Sequence, residues 1–121
     1  MVDNGFNDAV LRDAREVARQ IRDAFEVDKI LLFGSGAREE ARQSSDVDII
    51  VVGRSDLSFK QRRQAVYAAV DPPRDTDILW YTPEELNRML GSGNSFLRHA
   101  LANARTLENT GLENTGLENT R

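Results

Sequence analysis

The sequence predicts an α/β fold in which helices pack on a small sheet. Two observations predict it. Short apolar or β-branched runs at 29–33, 46–52 and 77–81 alternate with stretches of helical periodicity, and glycine, proline or capping residues punctuate nearly every change.

The first element is a helix from about Asn7 to Glu26. Phe6, Ala9, Val10, Asp13, Val17, Ile21, Ala24 and Phe25 recur at helical spacing with polar residues between them. Lys29 to Phe33 reads as a buried strand, halted by Gly34-Ser35-Gly36. Ala37 to Gln43 has good helix formers, enough for one or two turns. Asp46 to Val52 is the clearest strand, β-branched and closed by Gly53. Phe59 to Val70 reads as a helix with Ser58 as N-cap, and Pro72-Pro73 forbids its continuation. Asp77 to Tyr81 is the third strand. Thr82-Pro83-Glu84-Glu85 then carries a cap, a first-turn proline and a capping-box partner, opening a helix that ends near Leu90-Gly91. Asn94 or Ser95 can cap a last helix from Phe96 to about Ala104.

The ending is of another kind. Leu107 to Gly111 repeats as Leu112 to Gly116 and, imperfectly, as Leu117 to Arg121. A five-residue period matches neither helix nor strand, and one leucine per repeat builds no core. The expected organisation is therefore one domain over residues 1–106 and a repetitive tail over 107–121, disordered or foreign to the natural protein.

Composition narrows the function classes. At 121 residues there is room for one core, and 40% hydrophobic with 30% charged residues is ordinary for a globular domain. The net charge of −4 comes without a basic stripe, so a nucleic-acid polymer is a poor partner. Cysteine is absent, which excludes disulfides, thiolate metal sites and a cysteine nucleophile. No apolar run approaches a membrane span, and the first residues lack the pattern of a secretion signal. A cytoplasmic location and no membrane contact are expected.

Three features carry chemistry. Gly34-Ser35 stands where a strand turns towards a short helix. Asp46 and Asp48 open the next strand two residues apart, and Asp77 opens the third. Residues two apart on a strand share a face, and paired carboxylates are unfavourable unless a cation lies between them. Mg²⁺ accepts such oxygen ligands together with phosphate oxygens, and a carboxylate from a neighbouring strand completes a two-metal arrangement. Asp46 and Asp48 are expected to hold the ion on a nucleoside triphosphate. Asp77 would complete the second position and orient or deprotonate an incoming hydroxyl. Gly34 allows close backbone approach to phosphate, the Ser35 hydroxyl and the following amides can bond it, and Arg38 can neutralise its charge. Asp75 shares a face with Asp77 and competes for its role. His99, Trp80 and Tyr81 read as surface or packing residues, although an aromatic of that pair could border a base pocket. Lys60, Arg62 and Arg63 read as the wet face of their helix.

The stretch Leu32-Phe33-Gly34-Ser35-Gly36-Ala37-Arg38, followed by Ser45-Asp46-Val47-Asp48-Ile49-Ile50-Val51-Val52, resembles the minimal nucleotidyltransferases of the DNA polymerase β superfamily. Their pattern is Gly-Ser, about ten residues, Asp-x-Asp, then a later aspartate on another strand, which Thr76-Asp77-Ile78-Leu79 resembles. The resemblance spans roughly Val10 to Leu107. Glu39 departs from it, where many relatives have glycine.

The resemblance implies a palm-like nucleotidyltransferase fold with a small mixed sheet. It implies catalytic and metal-binding roles for Asp46, Asp48 and Asp77, nucleotide binding by Gly34, Ser35 and Arg38, two Mg²⁺ ions and ATP as substrate. The chain resembles the stand-alone modules commonly paired with a HEPN-family toxin, in which the module is the antitoxin and studied members transfer AMP from ATP onto a tyrosine of the toxin. Transfer to a small molecule and antitoxin action by occlusion alone are the alternatives. Whether the chain forms a homodimer or a hetero-oligomer stays open.

Overall fold

Alternation along three strands decides which side of the sheet each side chain joins. The computed structural model describes residues 5–34, 37 and 46–107, with side chains from residue 8 onwards. Its elements are α1 (Gly5–Ala24), β1 (Lys29–Phe33), β2 (Val47–Val52), α2 (Phe59–Ala69), β3 (Thr76–Tyr81), α3 (Pro83–Gly91), α4 (Ser95–Ala102) and β4 (Arg105–Thr106). The predicted helical turns at 37–43 fall outside the described residues, apart from a buried Ala37.

The strands form one mixed sheet in the order β3-β2-β1-β4. β1 runs antiparallel to both β2 and β4, while β2 and β3 are parallel. One face is dry beneath α1 and α2, where Ile30, Leu32, Val47, Ile49, Val51, Ile78 and Trp80 meet Val10, Val17, Ile21 and Val66. On the other face Phe33, Ile50, Val52 and Tyr81 meet Leu97 and Ala100, with Leu86, Met89 and Leu90 around them. A sheet covered on both faces explains why β2 is apolar at nearly every position. Each fully buried Ile, Leu or Val there contributes about 1.5–3 kcal/mol.

The caps fall where the sequence places them. Ser58 accepts from Gln61 N–H and closes a capping box, as do Thr82 and Glu85 at α3. Asn94 accepts from Leu97 N–H at 2.9 Å and starts α4. Asp13, the polar member of the α1 stripe, is half-buried and pairs with Arg74 at 2.7 Å.

Three expectations are corrected. Leu107, counted with the tail, is 2% exposed in the core, and its N–H donates to the Ile30 carbonyl at 2.7 Å. α4 ends at Ala102 rather than near Ala104 because the chain turns there into β4, whose pairing with Leu31 and Leu32 brings Leu107 home. Nor is the α2 cluster wholly a solvated face, although Lys60 is exposed. Arg62 is 1% exposed, its Nη2 donating to both Glu85 oxygens at 2.8 Å, and Arg63 reaches across to β3.

β3 is an edge strand, and α2 blunts its free edge. The Tyr67 hydroxyl accepts from Ile78 N–H at 2.7 Å, and Arg63 Nε donates to the Ile78 carbonyl at 2.9 Å. Backbone groups that would invite another strand are thereby occupied.

Candidate active site

The site is assembled where β1 ends and β2 and β3 begin. Because β1 is antiparallel to β2, Phe33 lies opposite Asp48 and the turn at Gly34 arrives beside that aspartate. Because β2 is parallel to β3, Asp48 lies opposite Asp77. Both occupy the face shared by Ile50, Val52, Leu79 and Tyr81, as alternation requires. Asp46 precedes the strand and is exposed. Its neighbour Val47 is buried on the opposite face, so the period of two returns Asp46 to the side of Asp48. Val47 N–H donates to the Asp75 carbonyl at 2.9 Å, which sets Asp46 and Asp75 beside one another at the same end of the sheet.

Gly34 is the most constrained residue here. Its φ of +76° lies in the left-handed region that glycine favours. A Cβ at this position would run into Asp48 Oδ2. The turn and the carboxylate therefore pack against each other without space for a methyl group. Ser35 and Arg38, the other expected nucleotide-binding residues, lie outside the described residues.

Asp77 is not an isolated acid. Arg63 Nη2 donates to its Oδ1 at 3.0 Å, and the Tyr67 hydroxyl lies 3.4 Å from the same oxygen. Asp77 is 53% and Arg63 36% exposed, so the pair contributes about 0–1 kcal/mol. No group of three or more acidic or histidine side chains among the described residues is gathered closely enough to hold a metal ion. The donor set nevertheless suits a hard divalent cation. It consists of carboxylate oxygens from two neighbouring strands in register, with a third aspartate two residues before Asp48.

Sequence reading missed Arg63 and Tyr67 as neighbours of the site. Their four-residue spacing puts both on one side of α2, but only the packing of that helix on β3 shows that this side meets Asp77. Together with Phe59, Lys60 and Gln64 they line an open hollow of about 540 Å³ next to the aspartate. A second hollow of about 270 Å³ is bordered by Phe59, Tyr81, Glu85, Arg88 and Met89. Tyr81 stacks on Phe59 at 5.4 Å between centroids, and burial pushes its hydroxyl above the ordinary tyrosine range. Trp80 is a packing residue of the core, edge-on to Phe25 at 5.2 Å between centroids, its Nε1 donating to the Gly53 carbonyl at 2.9 Å. His99 is exposed.

Comparison with known proteins agrees with this architecture. A candidate nucleotidyltransferase from Sulfolobus solfataricus superposes with a TM-score of 0.60 at 20% identity, over 73% of this chain and 82% of that one. A toxin–antitoxin structure with AMP-PNP superposes with a TM-score of 0.52 at 22% identity, over 81% of this chain and 74% of that one. Curated proteins yield no match. Residues 15–90, which run from α1 through the Gly34 turn and all three aspartates into α3, match the family described as polymerase beta, nucleotidyltransferase, and the chain belongs to that family.

Proposed function

We propose that this protein transfers AMP from Mg²⁺-bound ATP to a hydroxyl of a partner protein, a tyrosine of a HEPN-type toxin, and so acts as its antitoxin. The observation that carries the reading is the register of Asp48 with Asp77 on parallel strands, beside a Gly34 turn packed against Asp48. The toxin–antitoxin structure that shares this fold was solved with AMP-PNP, an ATP analogue, which supports both the nucleotide and the kind of partner.

The residues fall into three tasks. Asp46 and Asp48 hold the metal-bound triphosphate in place. Gly34 lets the backbone approach the phosphates, and Ser35 and Arg38 bond and neutralise them. Asp77 orients the acceptor hydroxyl and draws off its proton as the oxygen attacks the α-phosphorus. A bond from that oxygen to phosphorus forms, the α–β bridging bond breaks, and pyrophosphate leaves with its electron pair. Mg²⁺ when bound supplies charge neutralisation on the attacking and leaving oxygens.

The test uses α-labelled ATP, Mg²⁺ and the protein encoded by the adjacent gene. Label is expected on a tyrosine of that protein, and Asp46→Asn should lower its transfer at least about 100-fold. Toxin neutralisation by Asp46→Asn without any label would replace adenylylation with occlusion.

A further inference from the structure

Arg63 is held at the rim of the acidic end by four contacts, only one of which involves a carboxylate. Its Nε donates to the Ile78 carbonyl at 2.9 Å, its guanidinium lies 5.4 Å from the Tyr67 ring centroid, and its Nη2 donates to the Tyr67 hydroxyl at 3.3 Å and to Asp77 Oδ1 at 3.0 Å. Tyr67 is itself fixed. Its hydroxyl accepts from Ile78 N–H at 2.7 Å, and its single proton faces the Thr76 carbonyl at 3.3 Å and Asp77 Oδ1 at 3.4 Å. The contacts to Ile78 and Tyr67 fix the guanidinium independently of the carboxylate.

Asp77 is the register partner of Asp48, so an ion shared by the two carboxylates would sit close to that guanidinium. Two positive groups then compete for one carboxylate. We propose that Arg63, braced by Ile78 and Tyr67, is a positioning residue that occupies Asp77 until a divalent cation draws the carboxylate away from it. The proposal rests on the reading of Asp77 as a metal ligand. It makes ion binding at Asp77 weak in the free protein and stronger with the triphosphate, whose negative charge offsets the crowding of cations.

The experiment titrates the nucleotide-free full chain with Mn²⁺ alone and reads the free ion by electron paramagnetic resonance. Arg63→Gln is expected to bind Mn²⁺ about two- to fivefold more tightly than the unaltered protein, the scale of an exposed ion pair. The gain should vanish when Arg63→Gln is made in an Asp77→Asn background. Tyr67→Phe keeps the ring but loses the hydroxyl contacts, and a smaller gain in the same direction is expected. Equal or weaker binding by Arg63→Gln, a gain that survives Asp77→Asn, or no binding by any variant would each overturn the proposal. Should Arg63→Gln not fold, absence of a gain in Tyr67→Phe overturns it instead. The readout involves no AMP transfer. Absent label transfer with an intact Mn²⁺ cycle removes only the proposed reaction, whereas label transfer without the cycle removes only the role of Arg63.

Discussion

At Gly34 two demands meet in one residue, a positive φ and the absence of a side chain. The first is shared with Gly93, whose φ is +85°, but a Cβ on Gly93 would meet nothing within 4 Å. The two glycines therefore separate backbone strain from damage to the site. Alanine at either position should cost about 1–2 kcal/mol, the strain of a left-handed conformation. Only Gly34→Ala should also push Asp48 aside, and a displacement of about 1 Å at such a centre costs on the order of 100-fold in rate. Thermal melts of both variants, compared with their rates in the proposed AMP transfer, check this. Equal transfer by Gly34→Ala and Gly93→Ala would separate the turn from the chemistry. The glycine and the aspartates were legible in the sequence because their spacing relative to strand ends carries the signal. The neighbours of Asp77 were not. Nothing local to Arg63 or Tyr67 announces the strand that α2 will cover, and basic residues on a helix ordinarily face water.

Apart from β4, which was not read, and the turns at 37–43, which lie outside the described residues, the elements were read with boundaries close to those observed. Most of them begin or end on a residue with a mechanical reason to be there. Ser58, Thr82 and Asn94 cap, and Pro83 occupies the first turn of α3. What sequence patterning did not convey is how α2 and α3 are joined. Arg62 is buried against Glu85, and Glu85 Oε1 also accepts from Thr82 N–H at 2.9 Å, so one carboxylate serves both a cap and a buried cation. Arg62 Nε is buried without a hydrogen-bond partner among the described residues, which leaves the guanidinium dependent on Glu85. Glu85→Ala is expected to destabilise the fold by about 3–5 kcal/mol, because it strands a buried charge. Arg62→Leu combined with Glu85→Gln should cost clearly less, since no charge remains buried and glutamine can still serve the cap. Urea unfolding midpoints measure the difference. A single-variant loss below about 1 kcal/mol, or a double variant that is worse, would show that the pair does not tie the two helices together.

Across the whole molecule, the two edges of the sheet are finished in opposite ways. The β3 edge is occupied by side chains from α2, whereas the β1 edge is finished by β4, two residues long, and by Leu107 after it. Such a short strand falls below what strand patterning can register. Leu107 was hidden further because its own repeat made it look like the start of a tail. Its burial makes the end of the described chain part of the same core that α1 covers, and that core sets the β1–β2–β3 alignment on which the aspartate register depends. Leu107→Ala is therefore expected to cost about 2–5 kcal/mol, as for other buried leucines. Leu57, 45% exposed, is the matched control, and Leu57→Ala should stay within about 0.5 kcal/mol of the unaltered protein. Guanidinium unfolding of the two variants decides the point. Should Leu107→Ala unfold at the same midpoint as Leu57→Ala, the β4 segment is not part of the cooperative fold, and the core must close over β1 without it.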